Sequence, residues 1–431
     1  MNTRAVCGLG FRVLTSTVAA ALTAAVFILL SPAPLRAASG SWLGTQDNVW
    51  VNSANWTGST FPGSALNETA TFDSAGNGQV SLNLSGLFSV GNIVFTGPAV
   101  AAYTIGTGPR DSQLLVMGTD GEYGIASSAA NSQTFNCSLQ LGGGSIGGTY
   151  TFRNDTLGQT LTLGSVFVPT TSTSGTKTVC LRGTGAITVL GDVLRGPSGL
   201  NLRIDCTNAV TLSGSNTLNA AYLDGTNGVL KLSSGSKTYF QNNFDVNIVA
   251  SQSTTINGPG ELVLSAAGVD DHGNIAVASG HTLTLNARLT GDTGFQYYHA
   301  SSDYAGSFVM NGMNDYARST VIYAAGTLSC AYLGMSGTAG NLGTNARVVL
   351  DHPGARLLYT GAGETTDRTL DIKRGGTLEH AGSGTLVFTA PTTSTTSGAK
   401  KLTLRNFAAS DGELQGAVVN GSGLVSLAKE G

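Results

Sequence analysis

From residue 38 onward one short phrase recurs: an alternating apolar run of a few residues, closed by Gly, Asn, Asp or Ser. Phe135, Cys137, Leu139 and Leu141 alternate with polar residues. So do Leu200, Leu202, Ile204 and Cys206, then Phe244, Val246 and Ile248, then Leu283, Leu285, Ala287 and Leu289. Successive side chains of a strand point to opposite faces, so each run has one face to bury and one to expose. No stretch in this region keeps the i, i+3, i+4, i+7 apolar spacing of a helix. The chain is therefore expected to be all-β. Its runs are too short, and its turns too frequent, for the matched hairpins of a sandwich. Asp120-Gly121, Asp224-Gly225 and Asp411-Gly412 leave room for local hairpins. The constancy of the phrase, without a linker, favours coils stacked along one axis, each burying its inward side chains on its neighbours.

Composition agrees. Charged residues are 11% of the chain, against ~25% in ordinary soluble domains. Like charges stacked in register ~4.8 Å apart repel, whereas stacked Ser, Thr and Asn hydrogen-bond along the axis. With 41% hydrophobic residues the chain has a core to bury, and a net charge of −3 gives no footprint for nucleic acid.

Residues 1–37 read as a signal peptide. Arg4 and Arg12 form a basic start, Val13 to Leu30 is uncharged and apolar, and Leu35-Arg36-Ala37 fits cleavage after Ala37. An uncleaved anchor is the competing reading, disfavoured by Pro32 and Pro34. The mature segment is expected to make no membrane contact of its own. Cys137, Cys180, Cys206 and Cys330 show no metal-type spacing. Cys137 and Cys206 sit in phase with apolar neighbours and read as small core residues.

Trp42, Trp50 and Trp56, all the tryptophans of the chain, lie near the start of this region. We read 38–107 as a terminal cap, which covers an otherwise unpaired sheet edge, and 108–431 as the repeat region. The alternative is an aromatic platform for sugars.

Met310-Asn311-Gly312-Met313-Asn314-Asp315-Tyr316, followed by Thr320-Val321-Ile322 and Gly326-Thr327-Leu328, resembles the autotransporter-associated β-strand repeat. Val210-Thr211-Leu212-Ser213-Gly214-Ser215-Asn216-Thr217-Leu218 is similar to a second, partial copy, and Gly375-Gly376-Thr377-Leu378 to the stretch that follows in such repeats. Trp50 to Trp56, Pro62, Ala70-Thr71-Phe72 and Ile93-Val94-Phe95 look like the usual opening of exported proteins with these repeats. The phrase at Tyr316 departs from the pattern in having Ala317-Arg318 where Ser/Thr-Gly is usual. The resemblance implies a right-handed parallel β-helix displayed outside the cell as a type V passenger, adhesive or structural, contacting surface glycans or other cells. Residues 416–431 resemble the lead-in to another repeat, so the solenoid is expected to continue beyond 431, with any outer-membrane anchor lying there.

Candidates for chemistry are few. Gly143-Gly144-Ser145-Ile146-Gly147 matches G-x-S-x-G, but a nucleophile elbow needs a following helix that this sequence does not offer. Asp270-Asp271-His272 and Asp351-His352 are the better groups, with Glu261 and Asp292 as stacking partners of an acid pair in a polysaccharide-cleaving β-helix or a calcium site. Their Gly and Pro neighbours favour plain polar turns. Glu364 and Asp367 share a turn with Arg368, expected to neutralise them, and His281, His299 and His380 read as structural. No catalytic, cofactor or metal residue is assigned. The function expected is a non-enzymatic surface protein, with a carbohydrate-active enzyme or glycan-binding module as alternatives.

Overall fold

The structure is a computed structural model, describing residues 38–106, 113–118, 124–142, 147–241, 246–264, 272–298, 303–406 and 411–430. The signal-peptide reading of 1–37 lies outside these residues. They build a parallel β-solenoid of about 13 turns. Most turns contribute short strands to three faces, here A, B and C. One turn runs through Leu200–Cys206 on face A, Ala209–Leu212 on face B and Ser215–Leu218 on face C. The next places Ala220–Leu223, Val229–Leu232 and Lys237–Phe240 directly on them. The strand ladders are parallel throughout, and only the isolated bridges Trp42–Trp56 and Asn314–Gly340 are antiparallel. Helical backbone among the described residues is confined to short 3₁₀ turns at Ser53–Asn55, Thr57–Ser59 and Gly76–Gly78.

Register turns the alternation into a core. On face A, Leu202 stacks on Ala221, then Ile248, Ile275, Tyr297, Ile322, Leu350 and Ile372, all buried. Face B repeats this with Leu161, Ile187, Val210, Leu230, Ile256, Leu285, Met310 and Cys330. Each such side chain contributes roughly 1.5–3 kcal/mol by leaving water. The inward phase continues through the corners. Phe135 and Leu285 end face B strands, while Cys137 and Ala287 lie buried in the corners before Ser138–Leu141 and Arg288–Gly291, so one alternating run in the sequence becomes two strands and a bend. The Asp224-Gly225 pair makes a corner, not a hairpin: both backbone N–H groups donate to the Ile204 carbonyl of the turn before.

Corners need close approach. Gly291 ends its face C strand at φ 130°, and a Cβ there would stand 1.9 Å from the Leu264 carbonyl oxygen below it. Buried asparagines satisfy the corner backbone. Asn216 accepts from Val193 N (3.0 Å), and Asn314 accepts from Leu289 N (2.7 Å) while donating to the Asn341 carbonyl (2.7 Å). These are the asparagines of the two repeat phrases. Tyr316, from the same phrase, is buried with its hydroxyl 2.7 Å from Thr320 Oγ1.

Outside, polar groups stack as expected. Asn311 Nδ2 donates to Asn286 Oδ1 (2.8 Å), and Asn286 Nδ2 to Asn257 Oδ1 (2.6 Å), three turns in one ladder. The few charges alternate in sign up the axis. Lys237, Glu261, Arg288 and Asp315 form one such column, and Arg356, Glu379, Arg405 and Glu430 another.

Candidate functional site

The tryptophans form no platform. Their exposures are 0, 0 and 2%, and they pack edge-on, with Trp42–Trp56 and Trp50–Trp56 ring centroids 5.1 and 4.8 Å apart. Every indole N–H is used: Trp42 donates to the Gln79 carbonyl, Trp50 to Pro62 and Trp56 to Trp50. Phe72, Phe95 and Tyr103 extend the cluster inward. A sugar would find no free ring face here, so the aromatic-platform reading is corrected. Nearby, the fully buried Glu68 accepts from Ala38 N, Gly63 N, Ser64 N and Ser64 Oγ. Burial alone would raise its pKa, but these bonds hold it below the ordinary glutamate value.

The acid candidates do not converge. Asp270 and Asp271 lie outside the described residues, as do Gly143 to Ile146 of the G-x-S-x-G match and His299. His272, on face A, has Nε2 3.2 Å from Ser319 Oγ. Glu261 is on face C, held between Lys237 (3.1 Å) and Arg288 (3.0 Å). Asp292 is exposed at the corner after that face's next strand. Asp351 pairs with Arg374 (3.1 Å) and Lys373 (3.7 Å), and His352 Nδ1 accepts from Gly354 N, as a turn residue would. His281 is half-buried in a turn. His380 points into the core of face B and stacks on Tyr359, ring centroids 5.6 Å apart. Among the described residues no cluster of His, Cys, Asp and Glu could hold a metal ion. The four cysteines are free and buried, and burial raises the Cys206 thiol to about 12.

The group at 364–368 behaves differently from expectation. Arg368 turns inward, fully buried, and donates to the carbonyls of Gly334 (3.0 Å), Gly343 (2.6 Å) and Asn345. Glu364 accepts from Leu333 N (2.6 Å) and Gly334 N (2.9 Å), and Asp367 from Ser336 N (2.6 Å) and Ser336 Oγ (2.5 Å). Besides interacting with one another as charges, these residues clamp an excursion, 331–346, that replaces the face C strand one turn earlier. Its outer side shows Tyr332 and Met335, with Met313 exposed on the adjoining turn. The loop was not legible as such in the sequence. Its one signal was Gly334, Gly337, Gly340 and Gly343, spaced by three where a strand was due.

A groove of about 370 Å³ runs over the outer side of face A. Its floor follows the register Thr149–Thr178–Asn201, beside the column Arg203–Tyr222–Val249. Arg203 Nε holds Asp224 Oδ2 at 2.8 Å, and Tyr304, from a later turn, contributes to the lining. No stretch of the sequence signals the groove, because its residues come from separate turns.

These features define a parallel β-solenoid repeat protein. The chain is similar to the adhesin BmaC autotransporter of Brucella suis biovar 1 (strain 1330), 28% identical over an alignment of 290 residues. That alignment covers 58% of this chain and 8% of the adhesin, so the chain spans a small part of the relative's length. In sequence and in fold the chain is autotransporter-passenger-like. No family model and no solved structure matches it. No helix among the described residues is long and apolar enough to cross a membrane.

Proposed function

We propose that this chain is a stretch of an exported, cell-surface adhesive passenger, in which the solenoid is a stiff carrier and its outer faces make the contacts. The similarity to an autotransporter adhesin, in a chain whose described residues fold as a parallel solenoid, carries this reading. A non-enzymatic role is supported by what the acids do: Glu261, Asp351 and Asp371 are engaged in ion pairs, and Glu364 and Asp367 in backbone bonds. Signal cleavage after Ala37 and display at the cell surface belong to the same proposal. Fluorescently labelled purified protein should bind a panel of cultured animal cells and bacteria saturably, displaced by unlabelled protein. Failure to bind any cell saturably at micromolar concentration overturns the adhesive reading.

A further inference from the structure

Face A carries a recessed surface that the solenoid's own packing does not require. Outward positions of a β-helix ordinarily form flat ladders, as Asn257, Asn286 and Asn311 do. Over Thr178, Asn201, Arg203, Tyr222 and Asp224 the surface is instead a groove, which Tyr304 also lines. From the turn of Thr149 to that of Ser251 it crosses four steps of the ladder, on the order of 19 Å at ~4.8 Å per step. At about 370 Å³ it falls within the usual range of ligand sites, but it is elongated and open along its length. Such a shape suits a chain-like ligand.

The lining selects the chemistry. Hydroxyl and amide groups of Thr178, Asn201 and Ser251 offer both donors and acceptors. Asp224 supplies a carboxylate whose position is fixed by Arg203 Nε, and the Arg203 Nη groups, on a side chain 52% exposed, supply further donors. That fork matches neighbouring hydroxyls on one sugar ring, one oxygen accepting and the next donating. Tyr222 and Tyr304 in the lining offer ring surface to the apolar C–H faces of pyranoses. Nucleic acid is disfavoured, because the lining arginine is neutralised by Asp224 and no excess positive charge remains. A protein partner would want an apolar centre, yet the one aliphatic side chain among the described lining residues is the buried Val249. Asp224 is the one carboxylate among those residues, whereas glycoside cleavage ordinarily employs two, so the groove suits retention of a glycan and not its hydrolysis.

We infer that the outer side of face A, centred on Arg203, Asp224 and Tyr222, is a binding groove for an extended cell-surface oligosaccharide. The inference rests on the adhesive reading and names its ligand class and site. Purified protein is applied to an array of neutral and acidic oligosaccharides, and its binding to intact cells is measured before and after periodate oxidation of their vicinal diols. Arg203→Ala, Tyr222→Ala and Tyr304→Ala are compared with the parent, each checked for an unchanged circular dichroism spectrum and melting temperature. At least one glycan class should bind, periodate should abolish cell binding, and each substitution should weaken both by tenfold or more. Cell binding that survives periodate and all three substitutions overturns the groove while leaving adhesion intact. Absence of cell binding by the parent overturns the adhesive reading itself. An array signal unaltered in folded Tyr222→Ala and Tyr304→Ala places glycan binding elsewhere and likewise overturns the inference.

Discussion

Arg368 shows how far a single residue's environment can depart from its sequence neighbourhood. Beside Glu364 and Asp367 it reads as a local counter-charge, and while it keeps that charge interaction its guanidinium also donates to the carbonyls of a loop about thirty residues earlier. The two acids then take the N–H groups of the same loop, so one short segment satisfies both ends of its hydrogen-bonding need. Nothing in the order of residues indicates that partition, because it depends on which turn lies beneath. It does carry a pH dependence. Hydrogen bonds from the Ser336 hydroxyl and backbone N–H hold the Asp367 carboxyl below its ordinary value of 3.8. A group with a lowered folded pKa contributes stability above its unfolded pKa, and that contribution is lost as pH falls through the folded value. Amide exchange at Ser336, corrected for intrinsic rates, should be slow and level from pH 7 to 5 and accelerate below the ordinary aspartate range. In Asp367→Asn it should be fast throughout. Equal protection of Ser336 in the parent and in Asp367→Asn at neutral pH would remove Asp367 from this role.

At the scale of the strand, the alternation of Leu200, Leu202, Ile204 and Cys206 was fully legible, since period two is the geometry of a strand. The bends were not. Phe135 and Cys137, or Leu285 and Ala287, keep the same period while the chain changes face, because a corner of this solenoid preserves the inward phase. What marks the corner is the residue that tolerates the turn beneath it, and the sequence offers 60 glycines among which to choose. Gly291 is one whose role is fixed by space: φ is 130°, and the Leu264 carbonyl oxygen occupies the place of a side chain. Gly280, at φ 80° in an open turn with nothing near its Cβ position, carries the strain without the clash. Gly291→Ala should therefore destabilise by roughly 2–3 kcal/mol and Gly280→Ala by about 1 kcal/mol, with melting temperatures falling in that order. Equal losses at the two sites would mean that backbone strain alone, and not close approach of adjacent turns, governs the corners.

Over the whole molecule each turn rests only on its neighbours, so stability is a sum along the axis and need not be uniform. The described ends differ in what they bury. Near the start, Trp42, Trp50, Trp56, Phe72, Phe95 and Tyr103 close over one another with their polar atoms engaged. In the later turns, face B passes from Tyr359 through His380 to Asn406 where the turns before place Leu285, Met310 and Cys330. His380 is buried there with neither ring nitrogen hydrogen-bonded among the described residues. Burial of a polar ring without partners costs on the order of 1–3 kcal/mol, a substantial share of one turn's net stability. Unfolding of the chain should accordingly begin in the turns after Tyr359 and reach the tryptophan cluster last. Since all three tryptophans sit in that cluster, their emission reports the stable end alone. Circular dichroism should lose part of its strand signal at a lower temperature than the red shift of tryptophan emission. Hydrogen exchange should protect the amides of Phe72 and Phe95 longer than those of Thr403 and Leu404. Coincident transitions by both probes would instead make the solenoid a single cooperative unit, with its turns too strongly coupled for either end to part first.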